Sequence, residues 1–224
     1  AMSEPTLQDR FHLIGIGGAG MSVVAELLAS RGATVEGSDR EESPVLEHLR
    51  SVGVRAFVGH EASHVDPSSV VVVSTAIRED NPELAVARER GQRVIHRSQA
   101  LALAASGMRF VGVAGAHGKT TTSGMLAIGL SACGLDPSVA VGGVLPQLGT
   151  GAHLGGGDVF VAEADESDGS FLNYTPAIEI VTNVEPDHLD RYHSREEFEE
   201  IFVELARRMV PGSLLVTCSE HEGA

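Results

Sequence analysis

A chain of 224 residues with 42% hydrophobic content is long enough for one large or two modest domains, and with aromatics at 4% and no Trp its cores are expected to be Val, Ile, Leu and Ala. The formal net charge of −15 leaves no basic stripe to offset a phosphate backbone, which excludes nucleic acid and anionic membranes as partners and requires any phosphate to be held locally by amides, a lysine and divalent metal. Two cysteines, Cys133 and Cys218, make no disulfide framework and fit a reducing cytoplasm, and no apolar run reaches the ~20 residues of a membrane span.

Ala1 ahead of Met2 reads as an added residue, and residues 3–9 are polar. Arg10 to Ile16 reads as a buried strand, after which Gly15, Gly17 and Gly20 spell G-x-G-x-x-G with Gly18 extra. Met21 to Arg31 places Met21, Val24, Ala25 and Leu28 on one face at helical spacing, and Gly32 ends it. Ala33 to Gly37 is the next strand, with Asp39 after it. A βαβ unit with an acid about 20 positions past the glycines seats a diphosphate on a helix N-terminus. The pattern does not say whose diphosphate.

The spacing then predicts a helix over Pro44 to Ser51, strands over Arg55 to Val58 and Val70 to Ser74, and a helix over Pro82 to Arg90. A short strand at Val94 and Ile95 precedes a helix over Ser98 to Ala105. Ser74, Thr75, Ala76 and Ile77 fall at the carboxyl end of a strand, where open α/β sheets carry ligand loops. Gly107 marks the boundary, giving domains of 1–106 and 107–224.

The second domain opens on Arg109 to Thr122, RFVGVAGAHGKTTT. Phe110, Val111 and Val113 form an apolar strand, and Gly115, Ala116, His117 and Gly118 a tight turn. Lys119 and three threonines then lead into a helical pattern from Ser123 to Cys133. Such a turn directs successive backbone N–H groups and the positive end of the helix dipole at an anion. Lys119 is expected on the β/γ-phosphates of a nucleotide and Thr120 on Mg²⁺. The strict motif G-x-x-x-x-G-K-[ST] is one glycine short, because Val113 stands five before Gly118.

Ser138 to Val141 is a strand, and Gly142 to Gly157 is glycine-rich enough to read as a flexible segment, either a plain surface loop or a substrate loop. Asp158 to Ala162 is an apolar strand running into Glu163, Asp165, Glu166 and Asp168. Ile178 to Thr182 is another, running into Asn183-Val184-Glu185-Pro186-Asp187-His188. Arg195 to Met209 is an amphipathic helix and Ser213 to Val216 a strand. The ending SEHEGA, just after an apolar run, reads as a chain cut from something longer.

Mg²⁺–ATP chemistry needs a phosphate cradle, a neutralising cation and a carboxylate for the metal. Glu163 is the chosen carboxylate, as the first acid after an apolar strand; the alternative is that all four acids belong to a solvated loop, which suits some of them. His188 also follows a strand and could bind metal or hold substrate, although a lone histidine is commonly structural. Two α/β units, one with a diphosphate fingerprint and one with an ATP–Mg²⁺ site, suggest phosphoryl transfer or ATP-driven bond formation.

Six segments in order carry a resemblance: G-I-G-G-A-G-M-S (15–22), G-S-D (37–39), S-T-A-I (74–77), G-A-H-G-K-T-T-T (115–122), A-E-A-D-E-S-D (162–168) and T-N-V-E-P-D-H-L-D (182–190). From about residue 11 to 217 the chain resembles the muramyl ligases of peptidoglycan synthesis. The resemblance implies an α/β protein with a Rossmann-like UDP-binding domain, then a P-loop ATPase domain that is incomplete here, the family's C-terminal domain being absent. Gly15, Gly17, Gly18, Ala19, Gly20, Met21 and Ser22 would cradle the diphosphate of UDP-N-acetylmuramic acid. Asp39, Ser74, Thr75, Ala76 and Ile77 would face its uridine end, and Arg97 would belong to the same site.

On the other side, Gly115, Ala116, His117, Gly118, Lys119, Thr120 and Thr121 would bind ATP, Thr120 and Glu163 one Mg²⁺, and His188 a second. Lys119, Glu163 and His188 would carry catalysis. In the family's reaction a lactyl carboxylate attacks the γ-phosphate to give an acyl phosphate, from which an amine displaces phosphate. The wording of the motifs favours members that add L-alanine. Ala116 stands where Thr is common in the family. Residues that choose the amino acid would lie in the missing part, so this chain should bind ligands without ligating them.

A nicotinamide-dependent oxidoreductase would also suit Gly15 to Gly20 and Asp39, but it leaves the 115–120 loop and Glu163 unexplained. A ligase adding a different amino acid or a peptide, and a non-enzymatic nucleotide-sugar-binding module, are the remaining readings.

Overall fold

In the computed structural model, which describes residues 3–164, 173–185 and 194–220, the continuous apolar runs become central parallel strands, as expected where helices cover both faces of a sheet. The chain divides into two units, Ala1–Ser106 and Gly107–Ala224.

The first unit runs β1 (Arg10–Ile14), α1 (Ala19–Ser30), β2 (Thr34–Asp39), α2 (Pro44–Ser51), β3 (Arg55–Val58), β4 (Val70–Val73), α3 (Pro82–Glu89), β5 (Val94–His96) and α4 (Arg97–Ala104). Its sheet is parallel in the order β3-β2-β1-β4-β5. Successive strands add to one side of β1 and then to the other, so the loops after β1 and β4 part at a topological switch point, where such sheets bind ligands. Helix starts follow local chemistry. Ser43 and Asn81 cap α2 and α3, each with Pro at the start. His96 and Gln99 form a capping box that begins α4 at Arg97, one residue before the expected Ser98. Ile14, Val71, Leu84 and Ala87 pack in its core.

The second unit runs β6 (Arg109–Ala114), α5 (Lys119–Ala132), β7 (Ser138–Leu145), β8 (Thr150–His153), β9 (Val159–Glu163), β10 (Ile178–Val181), α6 (Arg195–Arg207) and β11 (Leu214–Thr217). The strand order is β11-β10-β6-β9-β7-β8, parallel except that β8 runs against β7. Val111, Val159 and Val161 pack on one face against Leu126 and Leu130 of α5.

Two expectations are corrected here. The glycine-rich segment is not a loose loop but the β7–β8 hairpin and its clasp. Gly156 and Gly157 donate to the side chain and carbonyl of Asp136 (2.7 and 2.8 Å), and Gly155 donates to Ser138 Oγ (3.0 Å). A Cβ at Gly151 would meet the carbonyls of Val141 and Gly143. The glycines thus mark close backbone approach rather than lost order. The cores are also not purely aliphatic. Phe11, Phe160 and Phe198 are among the largest fully buried side chains, and Phe110 stacks on Tyr174 with ring centroids 4.8 Å apart. A few aromatics bury much area each, so a low aromatic count does not keep them out of the core.

Glu179 is an oddity of β10. It pairs in register with Gly112 of β6, and a Cβ at Gly112 would collide with its carboxyl group. The carboxyl is fully buried, and neither oxygen has a hydrogen-bond partner. Desolvation pushes its pKa up to about 8.

Candidate functional site

Each unit turns one glycine loop into a helix N-terminus. In the first, Gly15 takes φ +75° as the chain leaves β1. Gly15 and Ile16 donate to the Ser38 carbonyl (2.8 and 3.0 Å), Gly17 to Asp39 Oδ2 (2.8 Å) and Gly18 to the Gly15 carbonyl (3.1 Å). Gly18 is the N-cap and offers no side-chain cap. The first backbone bond into the helix comes from Ser22, to Gly18. The N–H groups of Ala19, Gly20 and Met21 therefore have no partner among the described residues, and three aligned donors at a helix start form an anion cradle. Arg97 adds a fixed charge there. Its guanidinium lies where a Cβ of Gly20 would be, so only glycine lets it come so close. Ile77 touches the cradle from the 74–77 turn, its Cδ1 being 3.4 Å from a Cβ built on Gly15. Asp39 is drawn inward: besides Gly17, its carboxylate accepts the Arg40 N–H at 2.7 Å.

In the second unit β6 ends at Ala114, Gly115 takes φ +135°, and Gly118 takes φ +84° as the N-cap of α5. The helix begins at Lys119, four residues before the expected Ser123. The threonines thus occupy its first turn, where the Thr122 N–H makes the first bond into the helix, to the Gly118 carbonyl at 2.9 Å, and the N–H groups of Thr120 and Thr121 precede it. Those of Thr120 and Thr121, with those of Ala116 and Gly118, have no partner among the described residues. Lys119 curls back, its Nζ donating to the Gly115 carbonyl at 2.7 Å.

The peptide of His117 is clamped by the end of β10. Its carbonyl accepts from Thr182 Oγ1 (2.7 Å) and Asn183 Nδ2 (3.0 Å), and its N–H donates to Asn183 Oδ1 (3.1 Å). Gly115 must be glycine for this, since a Cβ there would strike Thr182 Oγ1. In the sequence Thr182 and Asn183 stand only as part of a motif, with no role attached to either. The available signal was a pair of polar side chains at the carboxyl end of a strand.

Glu163 closes β9 beside β7. Its Oε2 accepts the Gly142 N–H at 3.2 Å, while Oε1 is buried without a hydrogen-bond partner. The next residue, Gly143, packs by the Thr120 methyl group, 3.4 Å from its built Cβ. Glu163 and Thr120 thus flank two consecutive glycines of β7. An orphaned carboxylate oxygen and a hydroxyl are hard oxygen donors of the kind Mg²⁺ takes. Asp165, Glu166, Asp168 and His188 lie outside the described residues. Among the described residues no cluster of three or more His, Cys, Asp or Glu is placed to hold a metal, and no helix is long and apolar enough to cross a membrane.

Two family models match the chain in succession: the Mur ligase family catalytic domain over residues 10–109 and the Mur ligase middle domain over 113–223. The chain is 53% identical to a UDP-N-acetylmuramate–L-alanine ligase of Kineococcus radiotolerans, over 96% of this chain and 46% of that protein. It is 54% identical to one of Streptomyces coelicolor, over 98% and 48%. It therefore spans about half the length of these relatives. Among solved structures it resembles a UDP-N-acetylmuramate-alanine ligase from Thermotoga maritima, with TM-score 0.86 and 33% identity, over 97% of this chain and 50% of that one. It also resembles a UDP-N-acetylmuramate:L-alanyl-gamma-D-glutamyl-meso-diaminopimelate ligase from Neisseria meningitides, with TM-score 0.89 and 28% identity, over 96% and 73%.

Proposed function

Because the chain belongs to the Mur ligase family, we propose that it is the nucleotide-binding part of an ATP-dependent enzyme that joins L-alanine to the lactyl carboxylate of UDP-N-acetylmuramic acid. One observation carries this reading. Two helix N-termini are each entered through a glycine turn, each with free amides and a cation at hand: Ala19 to Met21 with Arg97, and Ala116, Gly118, Thr120 and Thr121 with Lys119. Two anionic ligands are what a nucleotide sugar and ATP present.

The first cradle takes the UDP diphosphate, with Ser22, Asp39 and the 74–77 turn completing the substrate site. The second takes the ATP phosphates, and Lys119 leaves the Gly115 carbonyl for the β/γ-phosphates. The lactyl carboxylate oxygen attacks the γ-phosphorus, and ADP departs with the electron pair. The amine of L-alanine then attacks the acyl carbon, phosphate leaves, and the amine gives up a proton. Backbone amides and Lys119 stabilise negative charge gathering on the transferred phosphoryl group. Thr120 and Glu163 would hold Mg²⁺, with His188 at a second ion; the metal supplies charge neutralisation of the phosphates. The proposed setting is the cytoplasm, where Cys133 and Cys218, exposed free thiols, stay reduced.

The relatives' greater length implies that catalysis needs residues beyond this chain. The test is phosphate release by the protein at that full length. Release should require UDP-N-acetylmuramate and L-alanine together, while the 224-residue chain alone should bind without turnover. Equal release with another amino acid in place of L-alanine would overturn the alanine assignment.

A further inference from the structure

Glu83, in the first turn of α3, is completely buried, a position a carboxylate occupies only when paired and hydrogen-bonded. Four polar side chains from β1, β2 and the segment after β3 close around it. Ser38 Oγ donates to Oε2, and His60 Nδ1 lies 3.2 Å from the same oxygen. His12 Nε2 lies 3.3 Å from Oε1 and His64 Nδ1 3.6 Å from it. His60 Nδ1 is also 2.8 Å from Ser38 Oγ, so that hydroxyl is gripped from two sides. Further out, Glu36 stands 3.9 Å from the other nitrogen of His12, Arg10 pairs with Glu36 at 3.7 Å, and Glu61 faces His64 at 3.9 Å.

Neither cradle chemistry nor core packing uses this cluster. Its mechanical link is Ser38. The hydroxyl goes to Glu83, while the carbonyl of the same residue accepts the N–H groups of Gly15 and Ile16. Those two bonds set the path on which the glycine loop leaves β1, and the next residue, Asp39, holds Gly17. The direction of the free amides of Ala19, Gly20 and Met21 therefore depends on where Ser38 sits.

We propose that Glu83, acting through Ser38, is a positioning residue for a nucleoside diphosphate bound on the glycine loop. The inference rests on the reading above that this loop takes the UDP-sugar. Burial resists a charge on His12, but hydrogen bonds and attraction from Glu36 and Glu83 outweigh it and raise its pKa. Burial likewise opposes the Glu83 charge, and its bonds to His12 and Ser38 outweigh that and lower its pKa. A charged acceptor strengthens the Ser38 bond.

The experiment uses the 224-residue chain and its variants Ser38→Ala, Glu83→Gln and Glu83→Leu. UDP-N-acetylmuramate is titrated calorimetrically, Mg²⁺–ATP binding serves as the internal control, and hydrogen exchange is followed at the Gly15 and Ile16 amides. Ser38→Ala removes only a hydroxyl and keeps the carbonyl, so it reports even if a Glu83 variant fails to fold. Ser38→Ala should weaken the UDP-sugar about tenfold, speed exchange at Gly15 and Ile16, and leave Mg²⁺–ATP affinity unchanged. Glu83→Gln, which keeps an acceptor, should lose less than Glu83→Leu. If the parent chain binds the UDP-sugar and Ser38→Ala binds it equally well with unchanged exchange, the inference is wrong and the functional reading stands. If the parent chain does not bind the UDP-sugar, the functional reading fails and this inference falls with it.

Discussion

Asn183 makes two hydrogen bonds to the 115–120 loop, its side-chain amide giving one to the His117 carbonyl and receiving one from the His117 N–H. These bonds hold the two peptide groups that flank His117, and a phosphate cradle works only if its N–H groups already point at the ligand. Asn183→Ala removes both bonds and keeps the fold. It should weaken Mg²⁺–ATP binding roughly tenfold while unfolding stability drops by about 1–2 kcal/mol, as read by calorimetry and urea titration. Unchanged ATP affinity would mean that Thr182 alone fixes the loop. These side chains show why part of the site was hidden. Gly115 to Thr120 are contiguous and carry their spacing in plain view. The partner of His117 stands 66 positions away and that of His12 71 positions away. Only the sheet order brings them together.

Among elements, the informative ones are the two helices that begin at glycines. The strand-turn-helix order of β1–α1 and β6–α5 was legible from apolar runs and glycine punctuation, because buried parallel strands leave uninterrupted Val and Ile. The start of α5 was not. Threonines are weak helix formers, and nothing in their local sequence says that a first turn will tolerate them. Gly118 makes that turn possible at φ +84°. Gly118→Ala forces a side chain into the left-handed region at about 1–2 kcal/mol, with open space around the added methyl. The variant should therefore be measurably less stable and bind ATP more weakly, without a clash elsewhere. The β7–β8 hairpin was misread for a related reason, since glycine density looks alike whether it marks looseness or close strand approach.

Across the whole molecule, the two units should answer differently to pH. In the first, the raised His12 pKa adds stability that is full below about pH 6.5 and is lost as pH rises through the folded value. The lowered Glu83 pKa adds stability that is present above about pH 4.5 and is lost as pH falls through its folded value. This unit should be firmest between those limits. In the second, the Glu179 pKa of about 8 means that the folded state keeps a proton the unfolded chain releases near pH 4.5. Stability there falls as pH rises from about 4.5 to 8, by up to about 1.4 kcal/mol per unit. Chemical denaturation across that range should show the slope in the parent chain and a flatter profile in Glu179→Gln. An equal slope in both would show that the Glu179 carboxyl is not the cause.

The central claim is that one glycine loop is built for a UDP-sugar and the other for ATP. It is tested most directly by calorimetric titration of the 224-residue chain with UDP-N-acetylmuramate, and separately with NAD⁺, each with and without Mg²⁺–ATP. Saturable binding of UDP-N-acetylmuramate and of Mg²⁺–ATP, with none of NAD⁺, is the predicted result. Binding of NAD⁺ in place of the UDP-sugar would contradict it and would make the Gly15–Gly20 cradle a nicotinamide dinucleotide site.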